Sequence, residues 1–149
     1  MATLENIDCA QTLLGSPAIL WPLISHQENW ALWFAQTSSD LVVGKPFDLT
    51  ITYFPTEETN IWQAEIRHIK EQVALEFTLN QPDLALQTSV KFFIRQNNDT
   101  IFLTVQQSGF QYEGFLHALK IRKERKRLLK FWQKALLKLQ YQVERRLGN

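Results

Sequence analysis

Apolar and polar residues alternate along most of the chain between Gly44 and Val105. A period of two is typical of strands with one buried face and one solvated face. Short turns separate the alternating segments, and Asn97-Asn98-Asp99 suits a hairpin turn. Strands this close in sequence pair antiparallel, so the pattern predicts a meander whose apolar face needs a cover. The segments are 47–53, 62–66, 73–79, 86–94 and 101–105.

Residues 120–147 form the predicted cover, an amphipathic helix roughly 42 Å long at 1.5 Å per residue. When residues are placed at 100° intervals, its apolar stripe occupies an arc of about 80°. Glu124 and Arg125 fall at the edges of this stripe, and residues 115–119 are out of phase with it. We therefore expect the first turns to overhang the core, or the helix to begin with a break. The stripe is Leu128, Trp132, Ala135, Leu139 and Val143, and the opposite side carries Lys120, Lys123, Arg127, Lys130, Lys134 and Lys138.

Ahead of the sheet, the pattern predicts a short strand around Cys9 and then two short helices. Ser16-Pro17 reads as an N-cap followed by proline at the first helical position, and Pro22 should kink or shorten the helix that follows. In the second helix, Trp30 and the Trp33-Phe34 pair share one face. The chain is therefore predicted to be one α+β domain, 1–149, with a curved antiparallel sheet of about six strands around a long C-terminal helix.

Four segments carry a resemblance to a known family: SPAILWPLISHQENWALWF, VVGKPFDL, DTIFLTVQQSGF and FWQKALLKLQYQVE. Their aromatic residues, glycines and lengths resemble the family of homologues of the activator of heat-shock protein ATPase, within the START-like (SRPBCC) superfamily. The resemblance implies a helix-grip fold with a partly apolar cavity between sheet and helix. Members of the superfamily bind lipids, sterols, polyketides or other apolar molecules, a few are cyclases or hydrolases, and one branch stimulates a chaperone ATPase.

Charge is distributed unevenly along the chain. Residues 1–119 hold five Lys/Arg against thirteen Asp/Glu, a net −8, whereas residues 120–149 hold eleven against two, a net +9. The N-terminus MATLENID is acidic where a secretory signal would be basic, and no apolar run approaches the ~18 residues of a membrane span. The single cysteine and three scattered histidines offer neither a disulfide framework nor zinc-type spacing. We expect a cytoplasmic protein without metal or cofactor.

The basic run KIRKERKRLLKFW, which begins at Lys120, raises the question of an anionic partner. Leu128, Leu129 and Trp132 within it belong to the buried stripe, and the acidic body repels a polyanion. We therefore interpret the run as the solvated face of the helix and expect no nucleic-acid partner. Two other partners of this face stay open on the sequence, an acidic protein and an anionic membrane surface.

The aromatic residues assigned to inward faces are the candidates for lining an apolar ligand pocket. The alternative is that they simply fill the core. His68 shares strand parity with Trp62 and Ile66, which would aim it inward as a polar pocket group or general base. Cys9 is expected to be an inert buried thiol. The pocket candidates are Trp33, Phe34, Phe47, Tyr53, Trp62, His68, Phe77, Phe92, Trp132 and Leu136.

Three functions stay open on the sequence. The first is a domain that binds a small apolar molecule, the second a protein-interaction module of the chaperone-activating type, and the third a cyclase-type enzyme with a polar dyad in its pocket. The chain has no G-x-S-x-G, H-E-x-x-H, P-loop or G-x-G-x-x-G motif, so no catalytic residue is assigned.

Overall fold

A computed structural model describes residues 2–148. The strands are β1 (Ala2–Thr3), β2 (Ile7–Leu14), β3 (Gln36–Thr37), β4 (Pro46–Thr52), β5 (Thr59–Lys70), β6 (Ala74–Gln81), β7 (Leu86–Asn97), β8 (Thr100–Ser108) and β9 (Gln111–Tyr112). The helices are α1 (Pro17–Ser25), α2 (Gln27–Trp30) and α3 (Phe115–Leu147), with a 3-10 turn at Pro82–Leu84. Each predicted alternating segment overlaps one of the strands β4 to β8, with Tyr53 just after the end of β4 and Val73 just before the start of β6.

Seven strands form one antiparallel sheet in the order β2-β8-β7-β6-β5-β4-β3, and β1 pairs with β9 in a separate ribbon. The sheet curls into a half-barrel with α3 packed on it. The hairpin between β7 and β8 turns at Asn98, which takes a left-handed φ of 57°, a conformation that asparagine tolerates. The predicted α+β architecture, with its meander and its covering helix, is confirmed.

The helices agree with the pattern in type and differ in length. Helix α1 starts at Pro17 and contains Pro22, while α2 has only four residues before a turn carries the chain to Phe34. Helix α3 begins at Phe115 and runs without a break, so its first turns overhang the core. Within residues 2–148, no helix combines the length and the apolar character needed to cross a bilayer.

The core lies between the concave face of the sheet and α3. The backbone of α3 runs closest to β2. Toward β4, β5 and β6, large side chains from the sheet, from α2 and from α3 fill the wider space, including Trp30, Phe77 and Trp132. The largest side chains of the core therefore lie on this β4–β6 side.

The predicted inward orientation of His68 is wrong. A register shift interrupts the pairing of β5 with β6 between Ile66 and His68, so two residues of β5 occupy the space of one. A bulge of this kind moves the following residues to the opposite faces of the sheet. Ile66 is buried, whereas His68 is exposed opposite Glu76.

Candidate functional site

Nine of the ten pocket candidates are buried in the core, and His68 is the exception. Trp33 and Phe34 come from the turn after α2, and Trp132 and Leu136 from α3. The others project from the concave face of the sheet, because alternate residues of a strand point to the same side. These are Phe47, Tyr53, Trp62, Phe77 and Phe92.

The rings of these residues other than Trp62 belong to one continuous cluster. Phe34 stacks on Trp132 with ring centroids 4.8 Å apart, and Phe92 meets Trp132 edge to face at 5.8 Å. Two rings outside the predicted set join the cluster: Trp30, whose ring lies 5.2 Å from that of Phe77, and Phe131 of α3. In this state the aromatic side chains occupy the space between sheet and helix.

Three core tryptophans have a partner for the indole N–H. Trp30 donates to the carbonyl of Ile24, and Trp33 donates to that of Leu23 at 2.8 Å. The N–H of Trp132 donates to Gln107 Oε1 at 2.9 Å. Trp62 is 0% exposed, and within residues 2–148 its N–H has no hydrogen-bond partner. A buried donor without a hydrogen bond lowers the free energy of unfolding by about 1–3 kcal/mol.

Glu124 of α3 is buried, at 3% exposure, and interacts with Tyr53 at the end of β4. The Tyr53 hydroxyl donates a hydrogen bond to Glu124 Oε2. Arg127 Nη1 lies 3.4 Å from Glu124 Oε1, and Arg127 Nη2 lies 3.0 Å from Glu58 Oε2. Burial, and then the adjacent Glu124 charge, raise the pKa of Tyr53, so the phenol keeps its proton.

This cluster corrects two expectations about α3. The sequence pattern places Glu124 at the edge of the apolar stripe, but in the structure Glu124 lies inside the stripe. A buried carboxylate needs hydrogen-bonding or charged partners, which here are Tyr53 and Arg127. Arg127, assigned to the solvated basic side, instead lies over the Tyr53 ring, with its guanidinium 4.0 Å from the ring centroid. Its side chain is only 24% exposed.

A second buried polar chain runs from α3 across three strands. Beyond the Trp132 contact, Gln107 Nε2 donates to Thr88 Oγ1 at 3.0 Å, and the Thr88 hydroxyl donates to the carbonyl of Leu79. Both side-chain groups of Gln107 therefore have partners. Sequence analysis missed Gln107, Thr88 and Glu124, although each is a polar residue at a position whose neighbours in the pattern point inward.

The remaining candidate groups lie apart from this region. Cys9, on β2, is half-buried, and burial followed by the nearby Asp8 charge raises the pKa of its thiol. An open cleft of about 460 Å³ beside the start of α3 is lined by residues that include Tyr112 and His117, and by none of the ten candidates. Over residues 2–148, no group of three or more His, Cys, Asp or Glu is arranged to hold a metal ion.

No family model matches the chain, and no curated protein matches it. A crystal structure of a Mesorhizobium loti protein is similar, with a TM-score of 0.78 at 17% identity over 95% of this chain and 98% of that one. A solution structure of a Bacillus halodurans protein gives 0.73 at 18% identity, over 96% and 99% of the two chains. A Staphylococcus aureus protein described as being of unknown function gives 0.69 at 10% identity, over 97% and 98%.

Similarity at these identities shows the fold alone. It does not assign a function, because proteins that share a fold perform many different functions. It leaves the resemblance to heat-shock ATPase activators at the level of sequence pattern. The comparisons therefore agree with a helix-grip-like α+β fold, in which a curled antiparallel sheet packs on a long C-terminal helix.

Proposed function

We propose that this chain binds one small, mainly apolar molecule between the concave sheet and α3, on the β4–β5 side. The observation that carries the proposal is the buried N–H of Trp62, for which none of the residues that the structure describes provides a hydrogen-bond partner. The N–H groups of the other three central tryptophans each donate a hydrogen bond to an acceptor within the protein. A ligand with one hydrogen-bond acceptor would satisfy the donor of Trp62 and recover the free energy that it costs.

Position supports the same assignment. Trp62 pairs with Leu49 across the β4–β5 ladder, and Tyr53 continues the inward-facing series of β4 beyond Ile51. Trp62 therefore lies on the same concave face of the sheet as Tyr53, the face on which α3 packs. Apolar walls with a few fixed polar groups are typical of small-molecule sites.

Binding requires the aromatic cluster to open. Phe131, at 9% exposure, is the most exposed of the clustered rings and lies between Tyr53 and Trp132. Its movement would uncover the β4–β5 side without disturbing the contact of α3 with β2. The ligand would then favour a minor open conformation already accessible to the protein.

The Tyr53–Glu124 pair is the polar dyad that a cyclase-type enzyme would need, yet its bonding favours binding over catalysis. The Tyr53 hydroxyl is committed to Glu124, and the carboxylate is also held by Arg127. A general acid or base must instead reach the proton that it transfers. We therefore assign the dyad the task of holding α3 against β4.

The test is binding of lauric acid, cholesterol and anilinonaphthalene sulfonate, measured by calorimetry and by native mass spectrometry of the purified protein. Trp62→Phe should weaken binding of a probe that accepts a hydrogen bond by about ten-fold, the equivalent of one such bond. Trp33→Phe is the matched control, because its N–H is already bonded to Leu23. Equal affinities in the two variants, or no binding of any probe, would contradict the proposal.

A second proposal, supported by the sequence resemblance, is contact with a chaperone in the manner of the heat-shock ATPase activators. A pull-down against the chaperones of the source cell discriminates the two. A pure ligand carrier recovers no chaperone above the background set by an unrelated protein of equal charge.

A further inference from the structure

The outward face of α3 carries a regular row of like charges. Lysines repeat at every fourth position from residue 126 to residue 138, and all of them are exposed. Like charges four apart on a helix repel one another and destabilise it. An ordinary solvated face would intersperse glutamates among these positions. The row is Lys126, Lys130, Lys134 and Lys138, with Lys120 and Lys123 beside it.

The helix supplies no carboxylate to balance this row. Its two acidic residues are Glu124, which is buried against Tyr53, and Glu144, which follows Tyr141 in the last turns. Between Phe115 and Tyr141 the outward positions are therefore cationic, apolar or uncharged polar. The positive charge of this face is therefore not balanced by acidic residues of α3, whatever rotamers the lysines adopt.

Large apolar side chains project at both ends of the row. At the start of α3, Phe115 is 75% and Leu116 is 73% exposed, with Leu119 beside them; toward the end, Leu137 and Tyr141 are exposed. The first turn is held in place, because His117 Nε2 lies 2.7 Å from the carbonyl of Leu84. The exposed apolar groups thus belong to a fixed helix.

We propose that this face of α3 docks on an anionic lipid bilayer, with the helix axis parallel to the surface. Helices that bind in this way present lysines to the headgroups and bury aromatic and aliphatic side chains at the acyl boundary. The two apolar ends, Leu116 and Tyr141, are about 38 Å apart along the helix, so both contact the bilayer only if α3 lies flat. A nucleic acid would use the lysines but leave Phe115 and Leu116 in water.

The carboxylates of the strands, which could repel an anionic surface, lie on the far side of the sheet from α3. Asp48, Glu65 and Glu76 alternate with buried residues of their strands and therefore lie on the convex face of the sheet, whereas α3 packs on the other face. Glu58 lies beside α3, where it is paired with Arg127. A helix with its side chains is about 10 Å across, and the Debye length at physiological salt is about 8 Å. The lysines therefore act on the surface at close range, whereas the carboxylates beyond the helix are largely screened.

Sedimentation with vesicles tests the proposal on the full chain. Binding should be strong to phosphatidylcholine vesicles containing about a quarter phosphatidylserine, absent with phosphatidylcholine alone, and weakened by added salt. One lysine near such a surface contributes about five-fold in partitioning, the equivalent of about 1 kcal/mol. Replacing Lys123, Lys126 and Lys130 with Gln should therefore reduce binding by roughly 100-fold.

Two variants separate the parts of the docking face. Replacing Lys45, Lys70 and Lys91 with Gln removes the same charge from exposed positions on the sheet side, and it should leave vesicle binding within about three-fold of wild type. Replacing Phe115 and Leu116 with Ser should weaken binding at least ten-fold while the lysines remain. Circular dichroism establishes that each variant is folded.

Three results overturn the proposal: no sedimentation with the anionic vesicles, equal losses in the two lysine variants, or full binding by the Phe115/Leu116 variant. A fluorescent single-stranded oligonucleotide and polyglutamate provide the competing polyanions at the same salt. If either binds more tightly than the vesicles, and depends on Lys123, Lys126 and Lys130 alone, the face serves a nucleic acid or an acidic protein and not a bilayer.

Discussion

Helix α3 meets the sheet in two different ways along its length. Around Trp132, the indole ring stacks on Phe34, and its N–H begins a series of hydrogen bonds through Gln107 and Thr88. Each polar side-chain group in this series has a partner. About two turns earlier, Glu124 places a buried carboxylate against Tyr53. Tyr53 shares the concave side of the sheet with Trp62, whose N–H has no hydrogen-bond partner in the described part of the chain. The Trp132 region resembles an ordinary core, and the Glu124 region does not.

The difference indicates that two regions of α3 have different roles, one in stability and one in binding. A fully bonded core region gains nothing from a ligand, because each group already has its partner. A region with an unused donor is less stable than it could be, and proteins keep such features where a site needs them. The Trp132 region therefore fixes α3 on the sheet, and the Glu124 region is where a bound molecule could add stability.

Replacing Trp132 with Ala should give the largest effect. It removes a fully buried ring and leaves Gln107 Oε1 without its donor, so we expect the free energy of unfolding to fall by roughly 3–5 kcal/mol. Denaturant unfolding measures this. As the control, the outward Lys123/Lys126/Lys130→Gln variant should change stability by at most about 1 kcal/mol. Similar losses in the two variants would show that α3 has been phased wrongly.

Replacing Glu124 with Ala should destabilise the protein less, by about 2 kcal/mol. Breaking a fully buried ion pair costs about 3–5 kcal/mol, but Arg127 keeps Glu58 at 3.0 Å and stays partly solvated. Glu144→Ala, an exposed change on the same helix, should stay within about 0.5 kcal/mol of wild type. A Glu124 variant as stable as the Glu144 variant would mean that the buried carboxylate does not hold α3 to β4.

Alkaline unfolding sharpens the comparison through Tyr53, whose pKa is raised by burial and then by Glu124. Below a pH of about 10, the ordinary value, both states keep the phenol proton and its stabilisation is complete. Above it, the unfolded state ionises while the folded state does not, so this group lowers the free energy of unfolding by about 1.4 kcal/mol per pH unit.

Tyr53→Phe should remove that component of the slope, because it keeps the ring and loses the titrating group. The Tyr141→Phe change, which removes an exposed phenol from α3, serves as the control. Urea unfolding at a series of alkaline pH values provides the measurement. If the Tyr53 variant shows the wild-type slope, the phenol ionises as easily in the folded state as in the unfolded chain.

Sequence periodicity predicted most of the fold, because burial of one face imposes a period of two on β4 to β8 and of 3.6 on α3. It predicted the depth of Trp132 correctly. It failed at His68, since a bulge changes the parity of a strand without any change in composition. The bulge is visible only in the pairing of β5 with β6.

The polar part of the site could be predicted only in outline. Thr88 and Gln107 interrupt inward-facing apolar series, and Glu124 falls near the apolar stripe, so each is marked as unusual by its position. Their partners are not marked, because Tyr53 and Glu124 are 71 residues apart in the chain. Periodicity assigns a face to each residue but says nothing about which distant side chain meets it there.

The smallest expected effect is also the one that tests the different roles of the two regions most directly. Trp62→Phe and Trp33→Phe remove the same atoms from two buried tryptophans, so the cost of the lost volume is similar in both. Trp33→Phe also leaves the Leu23 carbonyl without its hydrogen bond, whereas Trp62→Phe removes a donor that has no partner between residues 2 and 148. The Trp62 variant should therefore be the more stable of the two by about 1 kcal/mol. Thermal and urea unfolding of the ligand-free proteins measure the difference. If the Trp62 variant were the less stable one, its N–H would be bonded in solution, and the Glu124 region would be as fully satisfied as the core around Trp132.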